Sequence, residues 1–161
     1  RILLGAAALL TITLGGCATG SRWPGDNGQH GTAAVDRVAA TRARLVRVAT
    51  EQIGTPYRYG GNSSSGFDCS GLVEYAHRNI GLQVPRTTTQ QWRSARAVET
   101  GRLAPGDLVF FSFTEGKSRH VGIYEGDGNF IHAPSSGKQV GRASLDNPFW
   151  RQRLVGARSF L

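Results

Sequence analysis

Three residues of this chain, Cys69, His120 and His132, have side chains suited to nucleophilic catalysis. Cys69 follows Asp68, a residue type favoured at helix N-caps, and apolar residues spaced three to four apart come after it. This pattern predicts a helix that carries the thiol in its first turn, where the helix dipole lowers a thiol pKa. A thiolate in that position is suited to covalent catalysis. The alternative is a buried structural cysteine, because free cysteines are often buried.

The two histidines flank a predicted β-hairpin around Gly126-Asp127-Gly128. A two-residue turn would put His132 on the opposite face of the sheet from His120. A three-residue loop sets His132 opposite Gly122, diagonal to His120 and on the same face. The paired glycines favour the three-residue loop. We therefore expect both imidazole rings to face one way, towards Cys69.

These positions predict a division of roles. His120 is expected to take the thiol proton and later protonate the leaving amine. His132 is expected to hydrogen-bond the far nitrogen of His120 and fix its tautomer. The backbone N–H of Cys69 and the hydroxyl of Tyr57 are candidate donors to the oxyanion. The alternatives are histidines that only stabilise the sheet and a tyrosine that only packs.

The composition is that of one basic domain. The chain has 161 residues and a formal net charge of +8, and only two of its cationic residues are lysines, Lys117 and Lys138. A basic surface favours nucleic acid, anionic lipid or an acidic polymer. The charges are scattered and no nucleic-acid-binding motif is present, so we expect no nucleic-acid partner.

The N-terminus has the pattern of a secretory signal. Residues 1–16 hold a short apolar run after Arg1, too short for a membrane span. The end of this run, Leu14-Gly15-Gly16-Cys17, resembles the lipobox of bacterial lipoproteins, which predicts lipidation of Cys17 and excludes its pairing with Cys69. Ala18 after the cysteine resembles the signal for the outer membrane. Residues 17–34 are then a lipidated cysteine and a flexible tether.

Helices precede strands in the rest of the chain, which predicts one α+β domain over 35–161 with an antiparallel sheet. Apolar spacing predicts a helix over 36–53 with Val38, Leu45, Val46, Ala49 and Ile53 on its buried face. The polar neighbours of His77 on the Cys69 helix predict that it is exposed. A further short helix is predicted over 88–95, and strands are predicted over 108–111, 120–124 and 129–133, with weaker candidates over 140–145 and 153–161.

Over about residues 40–161 the motifs occur in the order seen in NlpC-type cell-wall peptidases, which the chain resembles. The motifs are Pro56-Tyr57-Arg58-Tyr59-Gly60-Gly61, Asp68-Cys69-Ser70-Gly71, Val84-Pro85-Arg86, Pro105-Gly106-Asp107-Leu108, His120-Val121-Gly122-Ile123-Tyr124 and Ile131-His132-Ala133.

The resemblance implies a papain-like fold, with N-terminal helices and the nucleophile at a helix N-terminus packed on the sheet. It implies cleavage of peptidoglycan peptides by a Cys-His-His triad of Cys69, His120 and His132, with help from Tyr57 at the oxyanion. It also implies that Asp68, Ser70 and Arg86 lie near the peptide substrate. Members cut either the D-Ala–diaminopimelate cross-link or the γ-D-glutamyl–diaminopimelate bond, and the sequence leaves both open. The lipobox would place the domain at the periplasmic face of the outer membrane, as a monomer without cofactor or metal.

Two other functions remain open from the residues. Cys69, His120 and His132 are possible ligands of a catalytic zinc ion, although no two of them have the close spacing of typical zinc ligands. A non-catalytic peptidoglycan-binding module is the second alternative. The presence of the cysteine, both histidines and Tyr57 together argues against it.

Overall fold

The computed structural model describes residues 29–114 and 118–161, and side chains over 32–113 and 119–161. The predicted signal segment, Cys17 and the tether up to residue 28 lie outside the described residues. The helices are α1 (Gln29–Thr50), α2 (Cys69–Asn79), α3 (Thr88–Ser94) and α4 (Pro148–Arg151), with a 3₁₀ turn at Thr100–Arg102. The strands are β1 (Asn62–Ser63), β2 (Gly66–Phe67), β3 (Arg96–Val98), β4 (Leu108–Thr114), β5 (Ser118–Gly126), β6 (Asn129–His132), β7 (Gly141–Ser144) and β8 (Leu154–Ser159).

The architecture confirms the α+β prediction. Six strands form one antiparallel sheet in the order β3-β8-β4-β5-β6-β7, and β1 pairs with β2 in a small hairpin before α2. Helices α1 and α2 cover one face of the large sheet, and a fully buried core of leucine, valine and phenylalanine side chains lies between the layers. On the other face, short α4 covers a second cluster built on Val109, Phe111 and Phe130.

Helix α1 begins earlier than the sequence predicts and buries only part of the predicted face. Residues 29–34, assigned above to the tether, form its first turns, because adding turns to an established helix costs little. Its buried residues are Leu45, Val48 and Ala49, whereas Val38 is 50% exposed. The predicted face is wrong at that end because residues 32–40 of the helix are all exposed. None of the described helices is both long and apolar enough to cross a membrane.

His77 is fully buried, so the predicted exposure is wrong. Helix α2 packs between α1 and the sheet and buries a wide face that includes His77. The imidazole Nδ1 lies 2.8 Å from the Val73 carbonyl oxygen, and the ring packs edge-on against Phe160. Burial lowers the pKa of His77 to about 4. Its polar neighbours Arg78 and Asn79 are exposed, although His77 is not.

The β5–β6 hairpin has the strand register that a three-residue loop would give. A two-residue turn together with a bulge in β5 produces this register. Asp127 and Gly128 form a two-residue turn with positive φ angles of 49° and 75°. The pairing shifts between Tyr124 and Gly126, so one extra residue bulges from β5. The bulge moves the register by one, and Ile123 pairs with Ile131. Continued one step, this register sets His132 opposite Gly122, as predicted.

Candidate active site

A cavity of about 670 Å³ opens beside the N-terminus of α2. Its wall includes Cys69 from α2, His120 from β5 and Tyr57 from the loop before β1. The structure thus brings the predicted nucleophile, base and oxyanion donor to one cavity. Asp68, Ser70 and Arg86, predicted to lie near the substrate, also line it.

Cys69 is the first residue of α2, as its sequence context predicts. Asp68 is the N-cap, and its carboxylate accepts a hydrogen bond of 2.7 Å from the backbone N–H of Gly71. The thiol is free and lies 3.6 Å from the hydroxyl of Thr88. The first turn of α2 therefore presents the sulfur to the cavity.

The predicted decrease in the pKa of Cys69 does not occur. Burial raises the pKa of the thiol, and the Asp68 carboxylate raises it further. Hydrogen bonds with the Thr88 hydroxyl and with the backbone of Val121 and Ser70 lower it in part. Desolvation of the thiolate exceeds the benefit of the helix N-terminus, so the resting thiol is protonated at neutral pH.

His120 and His132 form a buried pair. His120 Nε2 lies 2.8 Å from His132 Nδ1, as the predicted roles require. The two residues are 6% and 5% exposed. Burial lowers the pKa of His120 to about 3, with help from His132, and lowers that of His132 to about 4, with help from Lys138. Both rings are therefore neutral in the resting site at neutral pH.

The rings share one face of the sheet, but it is not the face on which α2 packs. His120 and His132 contact Phe111, Phe130 and Trp150, whereas β5 residues such as Val121 face the helices. The Cys69 thiol hydrogen-bonds with the backbone of Val121, the residue that follows His120 in β5. Only His120 lines the cavity, and His132 lies behind it.

Tyr57 is fixed by backbone pairing on two sides. Its N–H donates to the Lys138 carbonyl oxygen at 2.8 Å, and it forms a bridge with Phe67. Burial, followed by the nearby Cys69 and Asp68, raises the pKa of its hydroxyl. Tyr57 thus keeps its proton at neutral pH and is able to donate it to an oxyanion.

Asp68, Ser70 and Arg86 form one hydrogen-bonded network. Arg86 donates to both carboxylate oxygens of Asp68, at 2.9 Å and 2.6 Å, and to the Ser70 hydroxyl at 3.0 Å. Asp68 also accepts from the backbone N–H of Gly60 at 3.0 Å. Burial alone would raise the pKa of Asp68, but Arg86 and the backbone donors hold it below its usual value. The network fixes the loop before α2 against the start of that helix.

Comparison with known proteins decides the family. The model of the NlpC/P60 family matches residues 54–159, which include every element of the cavity described above. The chain belongs to the NlpC/P60 family.

Among relatives, the NlpC/P60 chain is 45% identical over 114 residues to the murein DD-endopeptidase MepH of Escherichia coli, covering 67% of this chain and 42% of MepH. It is 48% identical over 107 residues to the probable endopeptidase NlpC of E. coli, covering 65% of this chain and 69% of that protein. It is 37% identical over 119 residues to the gamma-D-glutamyl-L-lysine dipeptidyl-peptidase of Bacillus cereus, covering 73% and 36%. The chain thus spans less than half the length of two of these three relatives.

A solved structure agrees with this assignment. An NlpC/P60 family protein from Bacillus cereus superposes with a TM-score of 0.70 at 36% identity, covering 74% of this chain and 40% of that one. Together, the family and the relatives named endopeptidases indicate a cysteine-type peptidase, and the structural match confirms the NlpC-type fold.

Sequence reasoning missed the aromatic wall around the NlpC/P60 histidine pair. Trp150 of α4 stacks on His120 with ring centroids 5.8 Å apart and meets His132 edge-on at 4.9 Å. Phe111 and Phe113, alternate residues of β4, pack on the same side. Asn147-Pro148 is a recognisable helix start, with Asn147 as the N-cap, but no sequence signal places that helix over the histidines.

Two glycines of the NlpC/P60 motifs are required by close backbone approach, which the sequence analysis did not use. A Cβ at Gly71 would overlap the carbonyl oxygen of Gly61, and a Cβ at Gly61 would overlap that of Gly66. The same Gly61 carbonyl accepts from the Asp68 N–H at 3.0 Å. The loop therefore lies directly on the first turn of α2 and sets the depth of the cavity.

The structure bears on the alternative that Cys69, His120 and His132 are ligands of a zinc ion. Among the residues that the structure describes, no three His, Cys, Asp or Glu side chains are arranged to hold a metal ion. The nitrogens His120 Nε2 and His132 Nδ1 face each other at hydrogen-bond distance.

Proposed function

We propose that this chain is a peptidoglycan endopeptidase that hydrolyses an amide bond in cell-wall peptides with Cys69 as the nucleophile. The observation that carries the proposal is the arrangement at one cavity of a helix-N-terminal thiol and an imidazole held by a second imidazole. The names of the relatives support peptidoglycan as the substrate. The same arrangement argues against a purely binding module, because binding needs no buried histidine pair.

The hydrogen bond between the histidines assigns the ring nitrogens. If His120 Nε2–H donates to His132 Nδ1, then His120 Nδ1 is unprotonated and available as the base. It takes the Cys69 proton as the sulfur attacks the substrate carbonyl carbon. The oxyanion accepts hydrogen bonds from the Cys69 N–H and the Tyr57 hydroxyl.

Collapse of the tetrahedral intermediate breaks the carbon–nitrogen bond, and the proton on His120 passes to the leaving nitrogen. A water molecule then attacks the thioester carbon and gives its proton to His120. The carboxylic acid leaves, and the proton returns to the thiolate. His132 remains neutral and holds the His120 ring through both steps.

Two bonds are candidates for cleavage, the D-Ala–diaminopimelate cross-link and the γ-D-glutamyl–diaminopimelate bond. The name of MepH supports the first, and the name of the B. cereus dipeptidyl-peptidase is consistent with a cut next to γ-D-glutamate. Digestion of purified peptidoglycan, followed by mass spectrometry of the fragments, distinguishes them by fragment mass.

Cys69→Ala is the control for this digestion. Alanine suits a helix, so the variant is expected to fold normally. We expect hydrolysis to fall below about one part in a thousand, because no other group can replace the nucleophile. Higher residual turnover would remove Cys69 from that role. A thiol alkylator should abolish activity and a metal chelator should not; the reverse would favour the zinc hydrolase.

We also propose that Cys17 is lipidated and that the monomeric domain works at the periplasmic face of the outer membrane. The apolar run over residues 2–14, followed by Gly15-Gly16-Cys17, supports this. Cys17→Ser should move the protein from the membrane to the soluble fraction of cells and leave hydrolysis of isolated peptidoglycan unchanged. A variant that stays with the membrane would contradict the lipid anchor.

A further inference from the structure

The cavity contains two guanidinium groups with different charge environments. Arg86 is matched by the Asp68 carboxylate at 2.6 Å, and Glu74 lies 3.6 Å from its Nε. Arg119 also lines the cavity, yet none of the ion pairs between side chains over 32–113 and 119–161 includes it. Among these side chains, Arg119 is therefore the cation of the cavity whose charge is not balanced by a neighbour.

An aromatic contact holds Arg119 in place. Its guanidinium carbon lies 4.7 Å from the ring centroid of Trp92, on helix α3. A guanidinium stacked on an aromatic ring keeps the N–H groups at its edge free, and these groups fit a carboxylate in a bidentate manner. Arg119 is thus a positioned anion-binding group at the cavity wall.

The place of Arg119 next to His120 indicates which part of a substrate it meets. His120 must contact the leaving nitrogen in order to protonate it. The residue that carries this nitrogen therefore lies in the cavity beside His120, and Arg119 lines the same cavity. In both candidate bonds the nitrogen belongs to diaminopimelate, an amino acid with a carboxylate that is free in unmodified peptidoglycan.

We propose that Arg119 binds the free carboxylate of the leaving-side diaminopimelate and makes the enzyme prefer that carboxylate over its carboxamide. This assignment rests on the proposed peptidoglycan endopeptidase function. It concerns a residue outside the Cys69, His120, His132 and Tyr57 machinery. Because the guanidinium is solvent-exposed, the preference is expected to weaken as salt is raised.

Arg158 offers a matched control. Its guanidinium stacks on the same Trp92 ring, 3.6 Å from the centroid, but it does not line the cavity. Its N–H groups donate to the backbone carbonyls of Trp92 and Ala157. Removing Arg158 therefore removes a cation from Trp92 without removing one from the cavity wall.

The experiment compares two cross-linked muropeptides that differ only in the leaving-side diaminopimelate, which carries a free carboxylate in one and a carboxamide in the other. We expect the parent chain to cleave the free acid with about tenfold or greater kcat/KM, the size of a lost charged hydrogen bond. Arg119→Ala should lose this preference mainly through a higher KM for the free acid. Arg119→Lys should keep part of it, and Arg158→Ala should keep all of it.

Three results would overturn the assignment. Equal cleavage of both muropeptides by the parent chain, or an unchanged preference in Arg119→Ala, excludes Arg119 as the carboxylate ligand while the proposed activity stands. Cleavage of neither muropeptide by the parent chain overturns the proposed activity and the assignment with it. Far-UV circular dichroism and thermal melting of each variant identify a folding defect, and in that case the preference of Arg119→Lys decides.

Discussion

The reacting side chains are both neutral in the resting cavity, because burial raises the pKa of the Cys69 thiol and lowers that of His120 to about 3. In the proposed mechanism, a thiolate–imidazolium pair is therefore not expected before substrate binds. The proton would pass from Cys69 to His120 as the sulfur attacks, and His132 would orient the neutral ring.

Alkylation kinetics test this resting state. In a Cys17→Ser background, iodoacetamide should react with Cys69 at a rate that increases about tenfold per pH unit through neutral and mildly alkaline pH, because only the thiolate reacts. The rate should level off only above the usual thiol value of 9.0, from which the pKa is raised. A plateau that begins in acid and extends through neutral pH would mean that the ion pair is already formed at rest.

Substitutions of His132 test the orienting hydrogen bond. Asparagine can accept a hydrogen bond from His120 Nε2 through its amide oxygen, and alanine cannot. We expect His132→Ala to lower kcat about a hundredfold or more and His132→Asn to keep measurable activity. The comparison uses kcat on muropeptides, with thermal melting as the folding control. Equal losses in both variants would point to a charge or metal role instead.

At the level of elements, the site depends on three contacts with α2. The loop before it lies on its first turn, and the Asp68–Arg86 network fixes that loop. Helix α3 is tied to the same turn by Gln91, whose buried side-chain amide donates to the carbonyls of Ser70 and Pro85. Arg119 and His120, near the start of β5, complete the wall of the cavity. The nucleophile is therefore positioned from several sides rather than by its helix alone.

Gly71→Ala probes the contact between the loop and α2. The added methyl group overlaps the Gly61 carbonyl oxygen. This is a backbone atom, so it cannot move aside as the end of a flexible side chain could. Overpacking of this kind costs about 1–3 kcal/mol, and displacing the loop also disturbs Asp68 and Tyr57. We expect lower stability in urea denaturation and a marked loss of kcat/KM. Gly101→Ala is the matched control, because a Cβ there meets no atom within 4 Å. Parental stability and activity in Gly71→Ala would show that the loop moves without cost.

At the scale of the whole molecule, three histidines are buried in uncharged form. The pKa values of His77, His120 and His132 are lowered to about 4, 3 and 4 from the usual 6.5. The unfolded chain therefore binds protons below pH 6.5 that the folded chain does not, and folding stability decreases from pH 6.5 towards 3–4. The lowered pKa of Asp68 acts in the same direction at more acidic pH.

Replacing His77 separates its contribution to the acid sensitivity of folding from the contributions of His120 and His132. His77→Leu removes a titrating group and the buried Nε2, which has no hydrogen-bond partner. The free energy of unfolding is measured in urea at pH 7.5 and at pH 4.5. The decrease between these two pH values should be smaller in the variant than in the parent, by on the order of 1–2 kcal/mol. His77 lies outside the cavity, so activity at neutral pH is the control and should persist. An unchanged difference between the two pH values would exclude His77 from the acid sensitivity.

Features that depend on near neighbours in the chain could be predicted from the sequence. Asp68 before an apolar helical repeat was enough to place Cys69 at a helix start, and short runs with strand-like spacing marked the central strands. The order of motifs carried the family resemblance, and with it the papain-like fold and the candidate catalytic residues. The predicted helix start and strands are confirmed because caps and periodicity are encoded within a few residues. The papain-like fold is confirmed by the family match, and the catalytic roles stay predictions.

Features that depend on which elements pack together could not be predicted from the sequence and required the folded structure. It showed that His77 is buried, that only half of α1 is covered, and that Trp150 closes over the histidines. It also reversed the predicted pKa shift of Cys69, because desolvation depends on atoms contributed by α3 and β5 rather than on the helix that carries the thiol. Among the described side chains, the lack of an ion-pair partner for Arg119 is likewise visible only once Asp68 is seen to pair with Arg86.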